Sequence, residues 1–155
     1  MAAEYEAKHL QQKFPLAAFS EVVYQMRLND EASLSEAEFR NEILCMERHK
    51  MVVSRQSIDS EGKPTKDWYF RHDKIIEFFI MQTFMGKDNT RPAEHLGDPR
   101  FRGVYFLLAR LLPIEEAIRL REQLIQYAAD TKDHNVSDTF VQLLRSRKVA
   151  LQPVG

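Results

Sequence analysis

Few residues in this chain have types and spacing that could do chemistry. Five histidines, His9, His49, His72, His95 and His134, are scattered, and no two fall at the spacing that sets two imidazoles side by side on a helix as a metal pair. Cys45 is the single cysteine, so an internal disulfide and a multi-cysteine zinc site are both excluded. It falls inside a predicted helix and reads as a buried structural thiol. Glu115 and Glu116 directly follow Pro113. In the first turn of a helix their charge serves the dipole better than it serves acid–base work. Arg121 lies on the apolar stripe Ile114, Ala117, Ile118, Leu124, Ile125 and Ala128, where it is either half-buried with a carboxylate partner or packs its stem and sends its head to water. None of the five glycines, Gly62, Gly86, Gly97, Gly103 and Gly155, sits in a phosphate-cradling loop. No complete catalytic set emerges, and the expectation is a non-enzymatic chain with neither metal nor cofactor of its own.

One constellation stands apart: Trp68-Tyr69-Phe70-Arg71-His72-Asp73-Lys74-Ile75-Ile76-Glu77-Phe78-Phe79. An aromatic-rich strand passes directly into an apolar helix, with His72 and Asp73 at the junction. Asp73 is placed to cap that helix, and the free N–H groups of a helix start favour anions. His72 would stand beside such an anion, or else pack at the strand–helix corner.

Several elements are needed to position this junction. Residues 3–13 read as a short polar helix, restarted at Pro15. A second helix runs to about Leu28, with Phe19, Val22, Val23 and Met26 on one face. Ser35 and Glu38 form a capping-box pattern opening a helix to about His49, its inner face carrying Phe39, Ile43 and Met46. Residues 51–56 are β-branched, 57–66 are turn-forming and 67–71 aromatic, which predicts a two-stranded hairpin. Helices followed by a strand, loop and strand make a winged-helix-like lobe. The helix over 74–85 is apolar around most of its circumference and is expected to pack on several sides, with Gly86 as its C-cap. Three further helices, 100–112, 114–129 and 136–147, are joined by short connections and predict a small helical bundle. The fold class is therefore mainly α, with a winged-helix-like lobe over 1–86 and a helical lobe over 87–155.

Composition adds exclusions. Net charge is −1, so no global attraction to nucleic acid or anionic lipid exists. No apolar run reaches the roughly 20 residues of a membrane span, and residues 1–6 lack the pattern of a secretion signal, so a cytoplasmic location is expected. The winged-helix lobe raises DNA-binding transcriptional regulation as an alternative, but Glu36, Glu38, Glu42 and Glu47 outnumber Arg40 and Arg48 on the helix that would read bases. At the hairpin Asp59, Glu61 and Asp67 balance Arg55, Lys63 and Lys66, and Arg145, Arg147 and Lys148 sit at a helix end that explains them.

The segment from Pro15 to Met85 resembles the winged-helix part of the STAND class of signalling ATPases, the group containing NACHT and NB-ARC proteins. There a strand ends in a Met-His-Asp-like triplet before an apolar helix. Arg71-His72-Asp73 is similar, with arginine in place of methionine. The resemblance implies a regulatory module from a bacterial protein of this class. In such a module His72 contacts the β-phosphate of ADP and Asp73 supports the junction. ADP or ATP would be engaged only through an ATPase core absent from these residues. The partner it implies is that nucleotide-binding core, with the helix over 74–85 coupling the two lobes. A small enzyme using His72 as a base is the remaining rival, and it requires a deep pocket.

Overall fold

A computed structural model describes residues 15–31, 33–34, 39–86 and 88–151, with side chains as far as Arg147. The helix expected over 3–13 and the Ser35–Glu38 capping pair lie outside these residues. The fold is mainly helical with one antiparallel hairpin, as the periodicities predict. The chain divides into two compact units between Phe79 and Ile80.

In the first unit, α1 (Leu16–Leu28) and α2 (Arg40–Arg48) precede the strands β1 (Val52–Ile58) and β2 (Pro64–Phe70). The strands pair in register from Val52↔Phe70 to Ile58↔Pro64. Because side chains alternate along a strand, Val52, Ser54, Trp68 and Phe70 share the face turned toward the helices, and Val53, Arg55 and Tyr69 share the other. Pro64 opens β2, where its missing N–H costs least. The turn is held by the Asp59 carboxylate, which accepts from the N–H groups of Glu61 and Lys63, each at 2.9 Å, and Gly62 supplies the positive φ of 80°. Leu34 adds a single-residue bridge to Trp68 of β2. Its N–H donates to Trp68 O at 2.7 Å and its carbonyl accepts from Trp68 N at 3.1 Å. The sheet order becomes Leu34, β2, β1, as suits a winged-helix-like lobe.

The core of this unit is aromatic. The Phe19 ring stands 4.9 Å from Phe79 and 5.3 Å from Phe39, both edge-on, with Phe70 at 6.3 Å. Such pairs contribute about 0.5–1.5 kcal/mol each beyond their buried area. Tyr24, Ile43, Cys45, Met46 and Trp68 complete it, all buried. Helices α1 and α2 end alike. At Asp30 and Lys50 the backbone turns left-handed, φ 54° and 60°. The following N–H groups, of Glu31 and Met51, reach back to Met26 O and Met46 O, both at 2.9 Å. These are Schellman ends built without glycine.

Helix α3 (Asp73–Phe84) begins in the first unit and ends in the second. Its apolar surface is less covered than expected. Phe79, Ile80, Met81 and Phe84 are buried, but Ile75 and Ile76 are half-buried and Phe78 is 41% exposed. A helix with residues of one class all round still buries only the faces its neighbours reach.

The second unit continues with α4 (Arg91–Glu94), a 3-10 turn (Pro99–Phe101), α5 (Arg102–Leu111), α6 (Ile114–Thr131) and α7 (Ser137–Leu151). Gly86 takes φ 121° just past α3, and the Asn89 amide donates to Thr83 O at 2.7 Å and Met85 O at 3.0 Å, closing carbonyls the helix leaves open. Tyr105 Oη donates to Pro92 O at 2.6 Å, tying the loop to α5. At the other end of α5, Arg147 Nη1 donates to Ala109 O at 3.3 Å. His95 packs against both Phe101, with ring centres 4.5 Å apart, and Phe84, 5.8 Å away, and these two rings also touch each other at 5.6 Å. Gly97 is in direct contact with the Tyr127 ring, in space a Cβ would occupy.

Candidate functional site

The strand-to-helix junction is fixed from both sides. Phe70, the last residue of β2, is held in the aromatic core, its ring 5.8 Å from Phe79. The N–H of Arg71 donates to Met51 O at 2.9 Å, and the N–H of Ile75 donates to His72 O at 3.1 Å, which closes the first turn of α3. Between these anchors, Arg71, His72, Asp73 and Lys74 are all exposed. His72 therefore does not pack into the corner. Asp73 is itself the first helical residue, so its carboxylate acts on the helix dipole from within the first turn.

Lys74 Nζ lies 3.5 Å from Glu77 Oε2, one turn along. That oxygen is buried and makes no hydrogen bond, so the contact is an ion pair without hydrogen-bond geometry.

The hairpin also assembles residues that are far apart in sequence. Arg48, His49 and Lys50 close α2 immediately before Met51, and Met51 is bonded to Arg71. Pairing at Val52↔Phe70 and the Met51–Arg71 bond thus bring the end of α2 to the strand–helix junction at the root of the hairpin. Arg48, Lys50, Arg71 and Lys74 are all exposed there. Sequence inspection misses this cluster, because its halves are separated by the whole hairpin and only the strand register joins them.

Elsewhere the candidates disperse. Cys45 is free and buried. Glu115 and Glu116 occupy the first turn of α6. Arg121 reaches its neighbour Glu122 through Nε at 3.2 Å and Nη2 at 2.8 Å. Ser137, His134 and Asp138 have the types of a hydrolytic triad without its geometry. Ser137 Oγ donates to the His134 carbonyl, at 3.5 Å, while His134 Nδ1 stands 3.9 Å from Asp138. No nucleophile–base bond results. Among the described residues no group of three or more His, Cys, Asp or Glu side chains could hold a metal ion. A cleft of about 150 Å³ lined by Phe84, Asn89, Leu112, Glu116, Arg119 and Leu120 is smaller than the range of roughly 300–1,000 Å³ usual for small-molecule sites.

Among the described residues two neighbouring groups have shifted pKa values. Burial lowers the His95 pKa from its ordinary 6.5, reinforced by Arg100 and Arg91 and opposed by Asp98 and Glu94. The Asp98 carboxyl is held below its ordinary 3.8, chiefly by the Arg100 side chain, whose Nη2 donates to it at 2.8 Å. No helix of the described residues is long and apolar enough to cross a membrane. No family model matches the chain, and no curated protein or solved structure matches it either.

Proposed function

We propose that this chain is a non-catalytic regulatory module of a bacterial STAND-type signalling ATPase, working in the cytoplasm. The observation that carries the reading is the exposure of His72 and Asp73 at the start of α3, in a lobe whose fold is winged-helix-like. A histidine at the mouth of a helix, with the first-turn N–H groups beside it, has the donors an anionic phosphate requires. In this reading the module docks on a nucleotide-binding core in the same or a partner polypeptide. His72 meets the terminal phosphate of bound ADP and stabilises the resting state, while Asp73 supports the turn that presents it. The module contributes no base, nucleophile or metal to hydrolysis, and the second unit is the helical region that follows.

The first test is the open reading frame from which the chain derives. A P-loop and a downstream acidic strand encoded upstream support the proposal, and a reading frame without an ATPase core ends it. Where the core is found, His72→Ala in the full-length protein is expected to speed ADP release by about tenfold or more, the loss of one charge-assisted hydrogen bond. Unchanged release would remove His72 from the phosphate site.

A further inference from the structure

We infer that the root of the hairpin is a docking surface for the sugar–phosphate backbone of a nucleic acid. Arg48 ends α2 and Lys50 directly precedes Met51, whose carbonyl accepts the Arg71 N–H; Val52 pairs with Phe70, and Lys74 follows in the first turn of α3. All four cations are exposed. The carboxylates of the same segments are mostly withdrawn: Glu47 is half-buried, the Glu77 side chain is 15% exposed and already faces Lys74, and Asp73 alone is exposed. Arg48, Lys50 and Arg71 form no ion pair with any described carboxylate. A local positive field therefore survives on a chain whose net charge is −1.

The form of the cluster selects the partner. Its cations are spread along two adjacent segments with no enclosed cradle, which suits a polymer offering a phosphate at every nucleotide better than one small anion. Beside them, on the hairpin face turned away from the helices, the Arg55 guanidinium lies 5.1 Å over the ring of the half-buried Tyr69, next to exposed Val53. An aromatic ring paired with a guanidinium favours bases over an acidic protein segment. The cluster lies away from the hairpin tip, where acids and bases balance, and needs no contribution from a base-reading helix. It predicts backbone binding without sequence preference.

Lys50 provides a clean variant. It holds a left-handed conformation that glycine adopts freely, so Lys50→Gly removes a cation while relieving the backbone. The test is fluorescence anisotropy of a labelled duplex and a labelled single strand, each of about 20 nucleotides, titrated with the full 155-residue chain. With about four phosphates neutralised, affinity for the duplex is expected to fall on the order of 100-fold between roughly 50 and 200 mM salt. Lys50→Gly should weaken binding several-fold while raising the thermal midpoint, so misfolding cannot explain its loss. Arg48→Gln with Arg71→Gln should weaken binding at least tenfold, and Lys63→Gln at the tip should not. Absence of binding at low salt overturns the inference, as does full binding by the double variant. Displacement of the oligonucleotide by polyglutamate as readily as by unlabelled duplex would also overturn it, reassigning the surface to an acidic protein. The inference does not depend on the ATPase reading, because the reading frame and the titration fail independently.

Discussion

Ser20 is fully buried in α1, and its hydroxyl has no hydrogen-bond partner. A buried hydroxyl left unpaired carries its desolvation penalty uncompensated, and serine is also a poorer helix former than alanine. Ser20→Ala is therefore expected to stabilise the chain by about 1 kcal/mol, measured by urea denaturation; a destabilisation of that size would mean the hydroxyl is satisfied in solution. The left-handed residues Asp30 and Lys50 argue in the same direction. Each sits at the position after a helix where a Cβ crowds the backbone, and at Lys50 glycine should add about 0.5–1 kcal/mol, read by the same urea denaturation. No gain from Lys50→Gly would show that the lysine side chain makes a compensating contact. At this scale the sequence is a partial guide: it marks His72 and Asp73 by the change from strand to helix, but a single unpaired hydroxyl depends on what packs around it.

Between elements, legibility follows the length of the signal. Helix α1, the hairpin and α3 are readable because several residues repeat the same period, and the Asp-Ser-Glu-Gly-Lys-Pro turn names its own type. The Leu34 bridge is one residue long and carries no period at all. The four-residue helix Arg91–Glu94 is likewise too short to show one, and the stretch 87–99 reads from its prolines as loop alone. The cationic cluster fails for a different reason: register is a property of paired strands, and neither half suggests the other. The loop after α3 supplies the test at this scale. Asn89 closes two carbonyls at the end of α3 and accepts the Arg91 N–H through Oδ1 at 2.9 Å, so one side chain joins a long helix to a short one. Asn89→Ala is expected to cost about 2 kcal/mol, roughly two net hydrogen bonds. Hydrogen exchange should then quicken at the amides of Arg91, Ala93 and Glu94 and leave the hairpin unaffected. Faster exchange in the hairpin would contradict two separately packed units.

At the scale of the whole molecule, the described groups with shifted pKa values lie in the second unit. Folding lowers the pKa of both His95 and Asp98, so the folded chain holds fewer protons than the unfolded one wherever either group titrates. Stability then rises with pH across those ranges. For His95 the contribution is complete above the ordinary value of 6.5 and is lost as pH falls from there toward the folded value, because burial beside the Phe84 and Phe101 rings disfavours the charged imidazolium. For Asp98 it is complete above 3.8 and is lost below, as the Arg100 contact is given up. The thermal midpoint should therefore hold through neutral pH, begin to decline just below 6.5, and decline again below 3.8. His95→Gln should lower the midpoint at neutral pH, by removing the stacked ring, and flatten the first decline while leaving the second. A first decline that survives His95→Gln would place the acid-sensitive group elsewhere.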